Sequence, residues 1–82
     1  MSNEKQYALN TIIKNRDTIT EYESMNKQLE DIIRELQRQK RKNDRNLNTS
    51  IDKLKKQLDN NYYNISRLEC VNGILIDFCE RS

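Results

Sequence analysis

The sequence predicts an all-α chain of long amphipathic helices that form a coiled coil or helical hairpin within an oligomeric bundle. Three observations carry this. The 82 residues include one Gly and no Pro, so little interrupts a helix. Apolar residues recur at alternating steps of three and four, the spacing of a left-handed coiled-coil seam. Only 34% of residues are hydrophobic and 34% are charged, too little apolar material for a generous single-chain core. Such sparse residues bury well only if they form one stripe that meets a partner's stripe, so the composition asks for a partner.

In the first segment, residues 2–42, Tyr22, Met25, Leu29, Ile32 and Leu36 fall at steps of 3, 4, 3 and 4. Ile19 and Ile33 then take flanking positions and widen the stripe. Upstream, Leu9, Ile12, Arg16 and Ile19 keep a similar spacing but join the later register through a slip of three residues. Ser2 is an expected N-cap, and Glu4 suits the positive end of the helix dipole.

Residues 43–49 are either a basic, Asn-rich break or a continuation of the helix. Leu36 and Leu47 are eleven residues apart, three turns of a slightly unwound helix, so one rod is allowed. The hairpin is preferred: Arg38, Lys40, Arg41 and Lys42 crowd a helix C-terminus, Asn43, Asp44, Asn46 and Asn48 suit a loop, and Thr49 with Asp52 forms a capping pair. In that hairpin Leu36 is expected at the level of Leu58, Leu29 at that of Ile65, and Tyr22 at that of Asn72.

In the second segment, residues 50–80 with Leu47 just ahead, Leu47, Ile51, Leu54, Leu58, Ile65, Leu68 and Leu75 share one seam, with Asn61 and Asn72 at core positions. Asn in a seam fixes register at a cost in stability. Tyr62, Val71, Ile76 and Phe78 flank it, which points to more than one neighbouring helix. Asn72-Gly73 also matches a strand-hairpin turn, but the heptad spacing runs through it and places Gly73 on the outer face.

The charges nearly cancel, 15 basic against 13 acidic, as on a solvated helix. One local feature stands out. Residues 37–46 hold five basic residues and one acid, leaving the rest of the chain at −2. Arg38, Lys40, Arg41, Lys42 and Arg45 are candidate phosphate contacts, giving sequence-blind, salt-dependent affinity.

There is no His, the single Gly excludes phosphate-binding glycine loops, and neighbouring carboxylates such as Glu30 and Asp31 face different ways on a helix. No catalytic residue, metal or cofactor is expected. Cys70 and Cys79 lack zinc-ligand spacing and read as small buried hydrophobes. Without a secretory or membrane-spanning segment, a cytoplasmic or nuclear location is expected, with no direct membrane insertion.

The function expected is that of a non-enzymatic coiled-coil scaffold subunit of a kinetochore, cytoskeletal or tether-type complex, in a hetero-oligomer rather than a homodimer. Its candidate partner-binding residues are Tyr22, Met25, Leu29, Ile32, Ile33, Leu36, Ile51, Leu54, Leu58, Ile65, Leu68, Val71, Leu75 and Phe78. Two alternatives are a nucleic-acid-associated accessory factor using residues 38–45 and a membrane-trafficking tether or fusion-type helix. Glu21 to Asn26 (EYESMN) and Lys40 to Asp44 (KRKND) resemble the coiled coil of the small meiotic recombination mediators. The resemblance covers a short part of the chain, implies the nucleic-acid alternative, and transfers no functional residue.

Overall fold

The structure, a computed structural model that describes residues 2–39 and 44–81 (the side chain of Ser2 excepted), is a hairpin of two long helices. Helix α1 spans Ser2–Gln39 and helix α2 spans Arg45–Arg81. They pack along their whole length into a rod of 62 × 14 × 14 Å. Helical stability in water comes mostly from packing an amphipathic face rather than from propensity; each helix is stabilised by the face it buries on the other.

The seam of α2 follows the predicted heptads. Ile51, Asn61, Ile65 and Asn72 are buried, and Leu47, Leu54, Leu58, Leu68, Leu75 and Cys79 are half-buried between them. The α1 seam differs from the predicted one. It runs through Ala8, Ile12, Asn15, Ile19, Tyr22, Asn26, Leu29, Ile33 and Leu36, an unbroken alternation of four and three.

Met25 and Ile32, expected on the seam, are 42% and 47% exposed, whereas Asn26 and Ile33 beside them are 3% and 7% exposed. Ile19 and Ile33, expected at the flank, are seam residues. Leu9 and Arg16 are exposed, and the slip of three disappears. The physical reason is that a polar residue, Asn26, occupies a core level, so a count of apolar residues alone steps to Met25 instead and shifts the register by one residue.

The pairing of the helices is fixed by side-chain hydrogen bonds across the seam. Asn15 Nδ2 donates to Asn72 Oδ1 at 2.9 Å, and Asn72 Nδ2 donates to the Ile12 carbonyl at 3.3 Å. Stepping along both helices from this layer places Ile12 with Leu75, Ile19 with Leu68, Tyr22 with Ile65, Asn26 with Asn61, Leu29 with Leu58, Ile33 with Leu54 and Leu36 with Ile51. Ala8 and Cys79 share the level nearest the open end. The expected hairpin register is therefore corrected by one heptad: Tyr22 lies level with Ile65, not Asn72.

The cause of the shift is an earlier start to α2. Asp44 caps it, its Oδ1 accepting from the Leu47 amide at 3.0 Å and its carbonyl accepting from the Asn48 amide at 3.1 Å. Thr49, expected as a cap, lies inside the helix and donates to the Arg45 carbonyl at 2.9 Å. Among the described residues the first paired level, Leu36 with Ile51, accordingly lies one heptad earlier than expected. The strand-hairpin alternative at Asn72-Gly73 does not occur, since α2 runs through both residues. The cap expected of Ser2 falls on a side chain outside those described.

The surface ion pairs Arg34–Asp31, Arg38–Glu35 and Arg81–Asp77 (3.0 to 3.4 Å) lie within single helices and are exposed. Pairs of this kind contribute about 0.3–0.5 kcal/mol each. They support the helices and leave the pairing to the seam.

Candidate interaction surfaces

The predicted partner-binding residues divide into two groups. Tyr22, Leu29, Ile33, Leu36, Ile51, Leu54, Leu58, Ile65, Leu68 and Leu75 are buried or half-buried on the seam, α1 against α2. Met25, Ile32, Val71 and Phe78 are exposed. This second group shares a position: each lies one residue ahead of a seam residue, Met25 before Asn26, Ile32 before Ile33, Val71 before Asn72 and Phe78 before Cys79. A residue there points about a quarter-turn away from the seam.

Antiparallel pairing puts that position on the same side of both helices. The side carries Thr11, Thr18, Met25, Ile32 and Gln39 from α1, and Ser50, Gln57, Asn64, Val71 and Phe78 from α2. None of the ten is charged, in a chain where 34% of residues are. Thr11 and Thr18 donate their hydroxyls to the Tyr7 and Lys14 carbonyls of their own helix at 2.9 and 3.0 Å, which leaves their methyl groups as the available surface.

A shallow groove of about 240 Å³ lies on this side, lined by Thr18, Tyr22, Asn64, Arg67, Leu68 and Val71. A neighbouring depression is lined by Thr18, Glu21, Tyr22 and Met25. Asn64 Nδ2 donates to the Tyr22 hydroxyl oxygen at 3.4 Å across the floor of the groove.

The opposite side is different in character. Its flanking positions hold Arg16, Glu23, Glu30, Lys55, Tyr62 and Glu69 along most of the rod. There Tyr62, 47% exposed, donates its hydroxyl to Glu30 Oε1 at 2.6 Å. This hydrogen bond, with a smaller contribution from desolvation and from the Glu30 charge, raises the Tyr62 pKa above the ordinary value of 10.0.

The folded state therefore holds the Tyr62 proton more tightly than the unfolded chain. The associated stability is present below pH 10 and is lost as pH rises through the elevated pKa. A difference titration of the wild type against Tyr62→Phe at the phenolate absorbance should place the Tyr62 midpoint above 10. Glu30→Gln should bring it back toward the ordinary value, and an unmoved midpoint would contradict the contact.

At the open end of the rod this second side becomes apolar. Leu9 and Ile13 are 40% and 58% exposed, and Ile76 is half-buried. Gly73 lies beside them, with nothing within 4 Å of where its Cβ would stand.

Within the seam, Asn26 Nδ2, Asn26 Oδ1 and Asn61 Nδ2 are buried and make no hydrogen bond. The Asn15–Asn72 layer is satisfied. The spacing of α2 signals Asn61 and Asn72; Asn15 and Asn26 were missed because nothing in α1 alone distinguishes a core Asn from a surface one.

Of the candidate phosphate contacts, Lys40, Arg41 and Lys42 lie outside the described residues. Arg45 is exposed, and Arg38 is paired with Glu35 at 3.0 Å. Cys79 is half-buried at the end of the seam, whereas Cys70, expected to be buried, is exposed: it sits on the outer face of α2, away from α1. Tyr63, next to Tyr62 and on the outer face of α2, is 61% exposed.

Among the described residues no group of three His, Cys, Asp or Glu is placed to hold a metal ion. No helix among them is long and apolar enough to cross a membrane. A scan against protein-family models gives no match, and searches of curated proteins and of solved structures give no significant match.

Proposed function

We propose that this chain is a non-enzymatic helical interaction subunit, joining other helical chains in a multi-subunit assembly of the kinetochore, cytoskeletal or tether type. The reading is supported chiefly by how the large hydrophobic residues outside the seam are distributed. Met25, Ile32, Val71 and Phe78 share one uncharged side, while Leu9 and Ile13 gather at the open end of the other. Isolated exposed apolar residues are ordinary on any protein surface. Ordered ones flanking a coiled-coil seam are the surface by which two helices become three or four.

The hairpin itself is stabilised by its own seam, so it is a preformed piece of such a bundle, and a partner docks on it without first having to order it. The shallow grooves suit side chains of another helix better than a small substrate, for which deeply enclosing pockets are usual. Hetero-oligomeric assembly remains the preferred form, with the open-end patch of Leu9, Ile13 and Ile76 as the place for a chain of different sequence.

Substitution on the exposed positions tests this reading. Met25→Glu with Val71→Glu, and separately Leu9→Glu with Ile13→Glu, should leave helicity unchanged and abolish co-purification of the chain's cellular partners. The control Lys56→Glu, on the outer face, should retain them. If the full set of partners survives both pairs of substitutions, these sides are not the binding surface and the reading fails.

A further inference from the structure

We infer that the uncharged side of the hairpin binds a second copy of this chain, the two hairpins lying side by side and pointing the same way, with α1 of each on α2 of the other. This rests on the reading of the chain as an interaction subunit and names the first of its helical partners. Such a pair would be the unit that enters a larger assembly.

The rims of the uncharged side carry the inference. One step outward on α1 are Tyr7, Lys14, Glu21, Gln28 and Glu35; one step outward on α2 are Lys53, Asn60, Arg67, Ile74 and Arg81. The α1 rim has two acids and one base, and the α2 rim has three bases and no acid. Glu21 and Arg67 line the two depressions on this side and form no ion pair among the described residues. They stand on opposite rims of the groove, unpaired with each other in the single chain and placed to meet a neighbour.

A second copy related by a two-fold axis parallel to the rod lays the α1 rim of one chain along the α2 rim of the other at unchanged levels. Glu21 then meets Arg67 of the second copy, Glu35 meets Lys53, Gln28 meets Asn60, and the Tyr7 ring meets Arg81, a cation over an aromatic face. Each contact occurs twice. Inside the rims, Thr18 lies opposite Val71 and Met25 opposite Asn64, next to the tyrosine and leucine of the groove floor.

Turning the second copy end for end instead lays α2 on α2 and brings Lys53, Arg67 and Arg81 against their own kind, so the electrostatics select the first arrangement. The area is also sufficient. The stripe from Thr11 to Ile32 is ~30 Å long and two helices are ~20 Å wide, so a face-to-face pair removes about 1,200 Å² from water in total, the lower end of specific interfaces. Interfaces at that end of the range belong with the weaker, transient complexes.

Charge reversal tests both the dimer and its arrangement by sedimentation equilibrium. The wild type should approach twice the single-chain mass at high micromolar concentration. Glu21→Arg alone and Arg67→Glu alone should each weaken dimerisation roughly tenfold, since two attractive pairs become repulsive. An equimolar mixture of the two single variants should recover the wild-type affinity, because both cross-chain pairs are then opposite in sign; the double variant should recover it as well. Unchanged circular dichroism in each variant would show that the hairpin itself is intact.

A wild type that stays at single-chain mass at all concentrations overturns the inference. A dimer whose single variants are not rescued on mixing overturns the arrangement proposed. Either result leaves the interaction-subunit reading to its own test, in which Leu9→Glu with Ile13→Glu still loses, or fails to lose, partners of different sequence.

Discussion

Ile65→Asp should unfold the hairpin. Ile65 is 8% exposed and sits mid-seam on α2, level with Tyr22. Removing its buried side chain forfeits about 1.5–3 kcal/mol, and leaving a carboxylate in its place without a partner adds several more. Domains of this length have a total stability of roughly 4–12 kcal/mol, and a seam one side chain wide lies toward the low end. Most of the helical signal at 222 nm should therefore vanish at room temperature. Tyr63→Asp, two residues earlier and on the outer face, should leave that signal untouched. Equal helicity in the two variants would mean that the seam does not run where the burial pattern puts it.

Replacing Asn26 and Asn61 together by Leu should have the opposite effect. Three of the four amide nitrogen and oxygen atoms at this level are buried without a hydrogen bond, and each such group costs about 1–3 kcal/mol. Leucine matches asparagine in heavy-atom number and branching, so it removes that cost and adds apolar burial, and a gain of about 3 kcal/mol is expected. For a chain of this size that raises the melting temperature by roughly 12–24 °C. The same change at Asn15 and Asn72 should give less, because that layer already makes its hydrogen bonds at 2.9 and 3.3 Å. The stabilised variant should keep its register, since the cross-helix hydrogen bonds of Asn72 with Asn15 and the Ile12 carbonyl are untouched. Thermal melts of the two double variants would check the order, and a larger gain at Asn15 and Asn72 would contradict the hydrogen-bond assignment.

Much of the fold was legible in the sequence. The α2 seam could be read because leucine and isoleucine fill seven of its levels and the two asparagines fall at the intervals between them. In α1 the same reading failed over a single residue: at Asn26 the apolar neighbour Met25 offers an equally good step, and from there Ile32 displaces Ile33. Helix α1 read by itself has no way to reject that choice. Only the opposing helix does, since Asn72 accepts its hydrogen bond from Asn15 and that pairing sets Asn26 level with Asn61.

The register of the hairpin was missed for a local reason. Asp44 and Thr49 are both competent caps by residue type, and the sequence alone does not rank them; Asp44 is the one used. The surface was the least legible part. Its signature is the lack of charge at every seventh residue of both helices, a pattern that takes on meaning only once antiparallel pairing has brought the two series to the same side.

The two asparagine layers also divide the rod into blocks of unequal grip. Leu36, Ile33 and Leu29 with their opposites make a strong block near the connection; beyond Asn15 and Asn72 only Ile12 with Leu75 and the small pair Ala8 and Cys79 remain. The hairpin should thus behave like a zip fastened at the bend, with amide protons near the two chain ends exchanging fastest and protection climbing toward Leu36. Whatever seizes Leu9, Ile13 and Ile76 would act as a clasp on the loose end and slow exchange along the entire rod.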